Sequence, residues 1–118
     1  MSEPEVIAFV SIEDEDPDLL VSFALEPHAS RSITLMRTPR YEQILPEEER
    51  GVVVMSGSQD SPRELLHSIT ITTEEVVIQS QTRTRRLAAS RLSADDKTEA
   101  VAMPKRMNFD NRFVINAA

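Results

Sequence analysis

The 118 residues contain no cysteine, which excludes disulfides and thiolate metal sites. Tryptophan is absent, and one tyrosine with four phenylalanines is all the aromatic bulk. A core built from this chain is therefore aliphatic. The two glycines, Gly51 and Gly57, are too few for a P-loop or a dinucleotide-binding turn. The two histidines, His28 and His67, are isolated from each other, and neither has a second histidine at a metal-ligand spacing. Ser30 and Ser68 lie near them without a G-x-S-x-G elbow, so nothing supports nucleophilic catalysis. No apolar run approaches the ~20 residues of a membrane helix. The N-terminal MSEPEVIAFVSIEDED has no basic segment ahead of its short apolar run, so no signal peptide is expected and the cytoplasm is the expected compartment.

What is present is a single domain's worth of chain, residues 1–118, with 40% hydrophobic residues and a net charge of −7. That charge is unevenly spread. Residues 1–60 hold four arginines, no lysine and thirteen acidic groups, a balance of −9, whereas residues 61–118 balance at +2. An acidic half repels phosphate backbones and attracts basic surfaces. It reads either as a solvated surface or as a face for a basic protein partner.

Hydropathy alternation dominates the first half. EVIAFVSI, from Glu5, reads as a strand, EDEDPD as an acidic turn and LLVSFALE as the returning strand of a hairpin. In that second strand Val21, Phe23 and Leu25 share one face, and Leu20, Ser22 and Ala24 the other. EPHASR is a turn, and SITLMR is a third strand with Ile33 and Leu35 on one side. Pro39 ends it, because proline removes a ladder donor. RYEQILPEEER follows, with Tyr41, Ile44 and Leu45 near helical spacing and Pro46 limiting any helix to about one turn. GVVVMSG is the clearest buried strand.

In SQDSPRELLHS, Ser61, Pro62 and Glu64 form a capping box that predicts a short helix. ITITTEEVVIQSQT reads as two strands or one long bent strand. Ser93 with Asp96 repeats the capping pattern, and KTEAVAM predicts a helix stopped by Pro104. RFVINAA reads as a last edge strand or a docked end. The expectation is a mainly β, α+β fold: a single antiparallel sheet or small sandwich of six to eight strands with one or two short helices.

Two segments hold candidate chemistry. Asp14, Asp16 and Asp18 open like a calcium loop, but its sixth and twelfth positions hold Leu19 and Leu25 where glycine and glutamate belong. No metal site follows. Glu42 with Glu47, Glu48 or Glu49 forms a carboxylate cluster, yet a charged, proline-containing loop surrounds each with water rather than an apolar pocket. No catalytic residue and no cofactor is expected. The basic run Thr82–Arg86 lacks neighbouring aromatics, which argues against nucleic acid. It balances the acidic half within the fold or across a homo-oligomer.

The crossing from Arg37 to Glu49 is stiffened by Pro39 and Pro46 and contains Arg37, Arg40 and Tyr41, residue types that carry binding energy at interfaces. One reading makes it a contact surface. The other has Tyr41 lidding the core while the arginines pair with EDEDPD or PEEER. The order of strand, acidic turn and strand, then Leu35-Met36-Arg37, then Tyr41-Glu42-Gln43 and a Val-rich strand, resembles a mostly β immunity-protein family of bacterial polymorphic-toxin systems. The likeness covers roughly residues 5–80, without that family's glycine-rich tract. It implies a non-catalytic protein that binds and neutralises a toxin, here one of basic character. The expected partner contacts are Glu13, Asp14, Glu15, Asp16 and Asp18 of the acidic turn, and Arg37, Arg40, Tyr41, Glu42, Glu47, Glu48 and Glu49 of the crossing. The alternatives are a self-associating assembly subunit and, less favoured, a hydrolase with an unrecognised site.

Overall fold

The computed structural model describes residues 5–15, 18–25, 32–56 and 64–117. Asp16, residues 26–31 with His28, where a turn is expected, and Ser61 and Pro62 lie outside the described residues, as does the side chain of Glu15.

The chain runs β1 (Glu5–Glu15), β2 (Asp18–Leu25), β3 (Ser32–Arg37), a one-turn helix α1 (Pro39–Glu42), a 3₁₀ turn (Glu47–Glu49), and β4 (Val53–Ser56). It continues through β5 (Glu64–Ile71), β6 (Glu75–Ser80), β7 (Thr84–Ala88), α2 (Ala94–Met107) and β8 (Val114–Ala117). The fold is mainly β, as alternation predicts, but its sheet is mixed rather than antiparallel. Strand order is β4-β3-β2-β1-β7-β6-β5-β8. β1 pairs parallel to β7 at Glu5 and Val6, and β5 pairs parallel to β8 from Ser68 to Ile71. β4 also pairs with β5 through Val53–Leu65 and Val54–Glu64, so the pairing of β1 to β7 closes on itself, with β8 added beside β5. Both parallel pairings join strands far apart in sequence, which no local pattern encodes.

The apolar face of each strand lines one core. Val21, Phe23 and Leu25 from β2, Ile33 and Leu35 from β3, and Ile69 and Ile71 from β5 are all buried, as the period of two requires. Bulges reset the alternation twice. One in β1, between Ile7 and Phe9, leaves Phe9 outside and Val10 inside. One in β5, between Leu66 and Ser68, leaves His67 unpaired and exposed.

Two expectations are corrected. Glu64 and the residues after it form β5, not a helix; the buried face of Leu66, Ile69 and Ile71 pairs with β6 and outweighs the local capping pattern. α2 begins as predicted, with the Ser93 hydroxyl accepting from Asp96 N at 3.1 Å, but it runs through Pro104 to Met107. An interior proline costs about 3 kcal/mol. Here the last turn is held by burial of Met103, Pro104 and Met107, which with Ala100 form the inward stripe. The peptide N–H of Val10 in β1 donates to Asp96 Oδ2 at 3.4 Å, which ties the start of α2 to the sheet. No helix among the described residues is long and apolar enough to cross a membrane.

Candidate functional site

The β2–β3 register places Leu19 opposite Arg37, and the β1–β2 register places Asp14 opposite Leu19. The acidic turn and the start of the crossing are therefore neighbours. The Thr38 hydroxyl donates to Asp18 Oδ1 at 2.8 Å, joining the two segments directly. Arg106 near the end of α2 pairs with Asp14.

Beneath this end lies Arg37, the last residue of β3 and only 1% exposed. Strand alternation carries it inward in phase with Ile33 and Leu35. Its guanidinium is fully engaged. Nε and Nη2 donate to the Glu42 carboxylate at 2.9–3.1 Å. Nη1 donates to the Met107 carbonyl at 2.6 Å and to Asp110 Oδ1 at 2.8 Å, while Nη2 reaches Asp110 Oδ2 at 2.8 Å. The Phe109 ring covers the group, its centroid 4.0 Å from Cζ. Two bidentate carboxylates and a carbonyl satisfy the planar fork as a lysine cannot.

The clamp fixes two loops at once. Glu42 Oε2 also accepts from Gly51 N at 3.1 Å, so one carboxylate closes the crossing from α1 to the start of β4. Gly51 sits at φ +136, a conformation that suits glycine. Asp110 belongs to the turn after α2, where Asn108 Nδ2 donates to the Phe113 carbonyl at 2.8 Å and Asn111 adopts a positive φ of 56. Arg112 Nε donates to Asp110 at 2.6 Å and its Nη1 to the Glu47 carbonyl at 2.9 Å. Crossing and turn are thus stapled side by side.

Electrostatics follow from this packing. Burial pushes the Arg37 pKa down, but its hydrogen bonds to the Asp110 and Glu42 carboxylates and their charges outweigh it, and the net shift is upward. The Arg37 hydrogen bond holds the Asp110 carboxyl down at about 2, with Arg112 adding to the effect against partial desolvation.

The expected contact residues divide into two groups. Arg37 and Glu42 are buried, and their polar atoms are engaged internally. Glu13, Asp14, Arg40, Tyr41, Glu47, Glu48 and Glu49 are exposed, and Asp18 is half-buried. The arginine pairing is also corrected: Arg37 meets Glu42 and Asp110 rather than EDEDPD or PEEER. Tyr41 does not lid the core. It is 53% exposed and Ile44 is 77% exposed, because the single turn of α1 gives its inward position to Glu42. Of the basic run, Arg86 pairs with Glu75 at 3.2 Å.

Phe109, Asp110 and Arg112 escaped the sequence reading. Phe109 is 58% exposed and belongs to the same stapled unit as Tyr41 and Ile44. The asparagines flanking FD mark a turn, but pairing Asp110 with a residue 73 positions earlier needs the fold.

The other buried carboxylate, Glu64, accepts from the Ser80 hydroxyl at 2.8 Å and from Thr82, and exposed His67 lies on the bulge of the same strand. No group of three or more histidine or acidic side chains among the described residues is placed to hold a metal. The comparisons find no matching protein family, curated protein or solved structure.

Proposed function

We propose that this chain is a non-catalytic, cytoplasmic protein-binding module whose acidic end engages a basic partner. More specifically, we propose that it is an immunity protein that neutralises a toxin of a bacterial polymorphic-toxin system. One observation carries the binding reading: the acidic turn and the crossing share one end, with exposed Tyr41 and Ile44 on the segment that Glu42 ties to buried Arg37 and exposed Phe109 stacked on the Arg37 guanidinium. Exposed carboxylates supply charge for steering and specificity. Loops fixed before binding lose little entropy on contact. The immunity reading adds the order of segments from β1 to the hairpin of β5 and β6.

The test is binding of the purified protein to the basic toxin domain encoded beside its own gene, by calorimetry at two salt concentrations. The double variant Glu48→Lys/Glu49→Lys is expected to weaken binding and flatten its salt dependence while unfolding like the parent. Unchanged affinity would remove the acidic end from the interface. No binding by the parent would remove the immunity reading. A second reading, self-association, draws on exposed Arg83 and Arg86, whose sign is opposite to that of the acidic end. Sedimentation separates them: a stable monomer at micromolar concentration disfavours it.

A further inference from the structure

We infer that the occupant of the acidic end is a cationic, amphipathic polypeptide segment that sets an apolar side chain against Phe109, Tyr41 and Ile44 and basic side chains toward the surrounding carboxylates. This deepens, and rests on, the protein-binding reading above.

The Phe109 ring is more than half exposed, an arrangement with a hydrophobic cost. It is also held in place, by Arg37 on its inner face and by the Asp110 and Asn108 bonds of its turn. An exposed aromatic held rigidly is a preformed anchor. The cation already on the inner face draws the ring's π density toward it, which weakens the attraction of the outer face for a second cation. The outer face therefore favours a hydrocarbon group.

Tyr41 and Ile44 are two further exposed apolar side chains. Both project from the segment that Glu42 ties to Arg37 and that Glu47 ties to Arg112. Glu48 and Glu49 follow on the same segment and are exposed, as is Glu13 in β1. The described residues of segments 13–18, 37–50 and 105–112 carry nine acidic and six basic groups, and buried Arg37 is fully neutralised by Glu42 and Asp110. The stapled segments thus present exposed apolar side chains together with an excess of acidic ones. That pattern selects against an anionic surface and against a purely charged chain, and for a segment that has both lysine or arginine and aliphatic side chains.

The chain carries its own reporter: Tyr41 is the only tyrosine and there is no tryptophan, so intrinsic emission comes from this face alone. The probes are a peptide of alternating Leu and Lys and an alternating Ser–Lys peptide of equal length and charge, neither aromatic. The Leu–Lys peptide should shield Tyr41 from acrylamide quenching and bind about tenfold more tightly than the Ser–Lys peptide. Ile44→Ser, which is no part of the clamp, and Phe109→Ser should each weaken it about tenfold. Phe9→Ser, at an exposed apolar position on β1 outside this end, should not. Should Phe109→Ser loosen the fold, Ile44→Ser alone decides. Equal binding of the two peptides, no shielding of Tyr41, or equal weakening by Phe9→Ser and Ile44→Ser each overturns the inference. The toxin-binding experiment then still judges the broader reading on its own.

Discussion

Replacing Arg37 with methionine tests the clamp most directly. The substitution keeps an unbranched side chain of similar length and removes every donor of the guanidinium. Left behind are the Glu42 carboxylate, with 11% of its side chain exposed, an unpartnered Met107 carbonyl and an Asp110 carboxylate 31% exposed. Asp110 rehydrates at little cost. Glu42 keeps only the Gly51 amide, and breaking a buried pair by removing one partner costs about 3–5 kcal/mol. A chain of this size holds roughly 6–18 kcal/mol in total, so the variant folds but is much weakened. Urea unfolding followed by far-ultraviolet circular dichroism measures the difference from midpoint and slope. Arg37→Lys is expected to recover less than half, since an ammonium cannot serve two carboxylates in the plane of a fork. The double variant Arg37→Met/Glu42→Leu should recover more than Arg37→Met, because no buried charge is orphaned. If Arg37→Met lies within about 1 kcal/mol of the parent, the guanidinium is not the element that joins crossing and turn, and the preformed anchor argued for Phe109 loses its basis.

Asp110 makes stability depend on acid. Its pKa is depressed to about 2 from 3.8, so its contribution is complete above about pH 4 and is lost as pH falls through the folded value. Discounted for solvent exposure, that contribution is about 1 kcal/mol, and Asp110→Asn should unfold at lower urea at pH 7 but converge on the parent near pH 2. Gly51→Ala forces a side chain into a positive φ and should cost about 1–3 kcal/mol by the same assay, although space for the methyl group is present. Ser93→Ala removes the cap of α2 and should cost about 1 kcal/mol, read as a lowered thermal midpoint.

Local pattern was sufficient where one side chain decides one position. Val21, Phe23 and Leu25 declare the buried face of β2, Ser93 and Asp96 the start of α2, and Pro39 and Pro46 a short stiff crossing. It failed where distant residues compete with local preference. Ser61 to Glu64 reads as a helix start, yet Leu66, Ile69 and Ile71 gain more by pairing β5 with β6. Pro104 reads as a stop, yet Met103 and Met107 are drawn into the core. One of the two readings has Tyr41 lidding the core, yet Glu42 takes the inward position because Arg37 is there to receive it.

By itself the sequence determined a mainly β chain with an aliphatic core, an acidic first half and a stiff, charged crossing. These follow from composition and from periods of two and 3.6, which are properties of neighbours along the chain. Only the tertiary structure decided that β1 lies parallel to β7 and β5 to β8, that Arg37 meets Asp110, and that acidic turn and crossing share one end. Such pairings depend on which faces must be buried together and which charges lose their water. Those free energies exist only once the strands have closed around a common core.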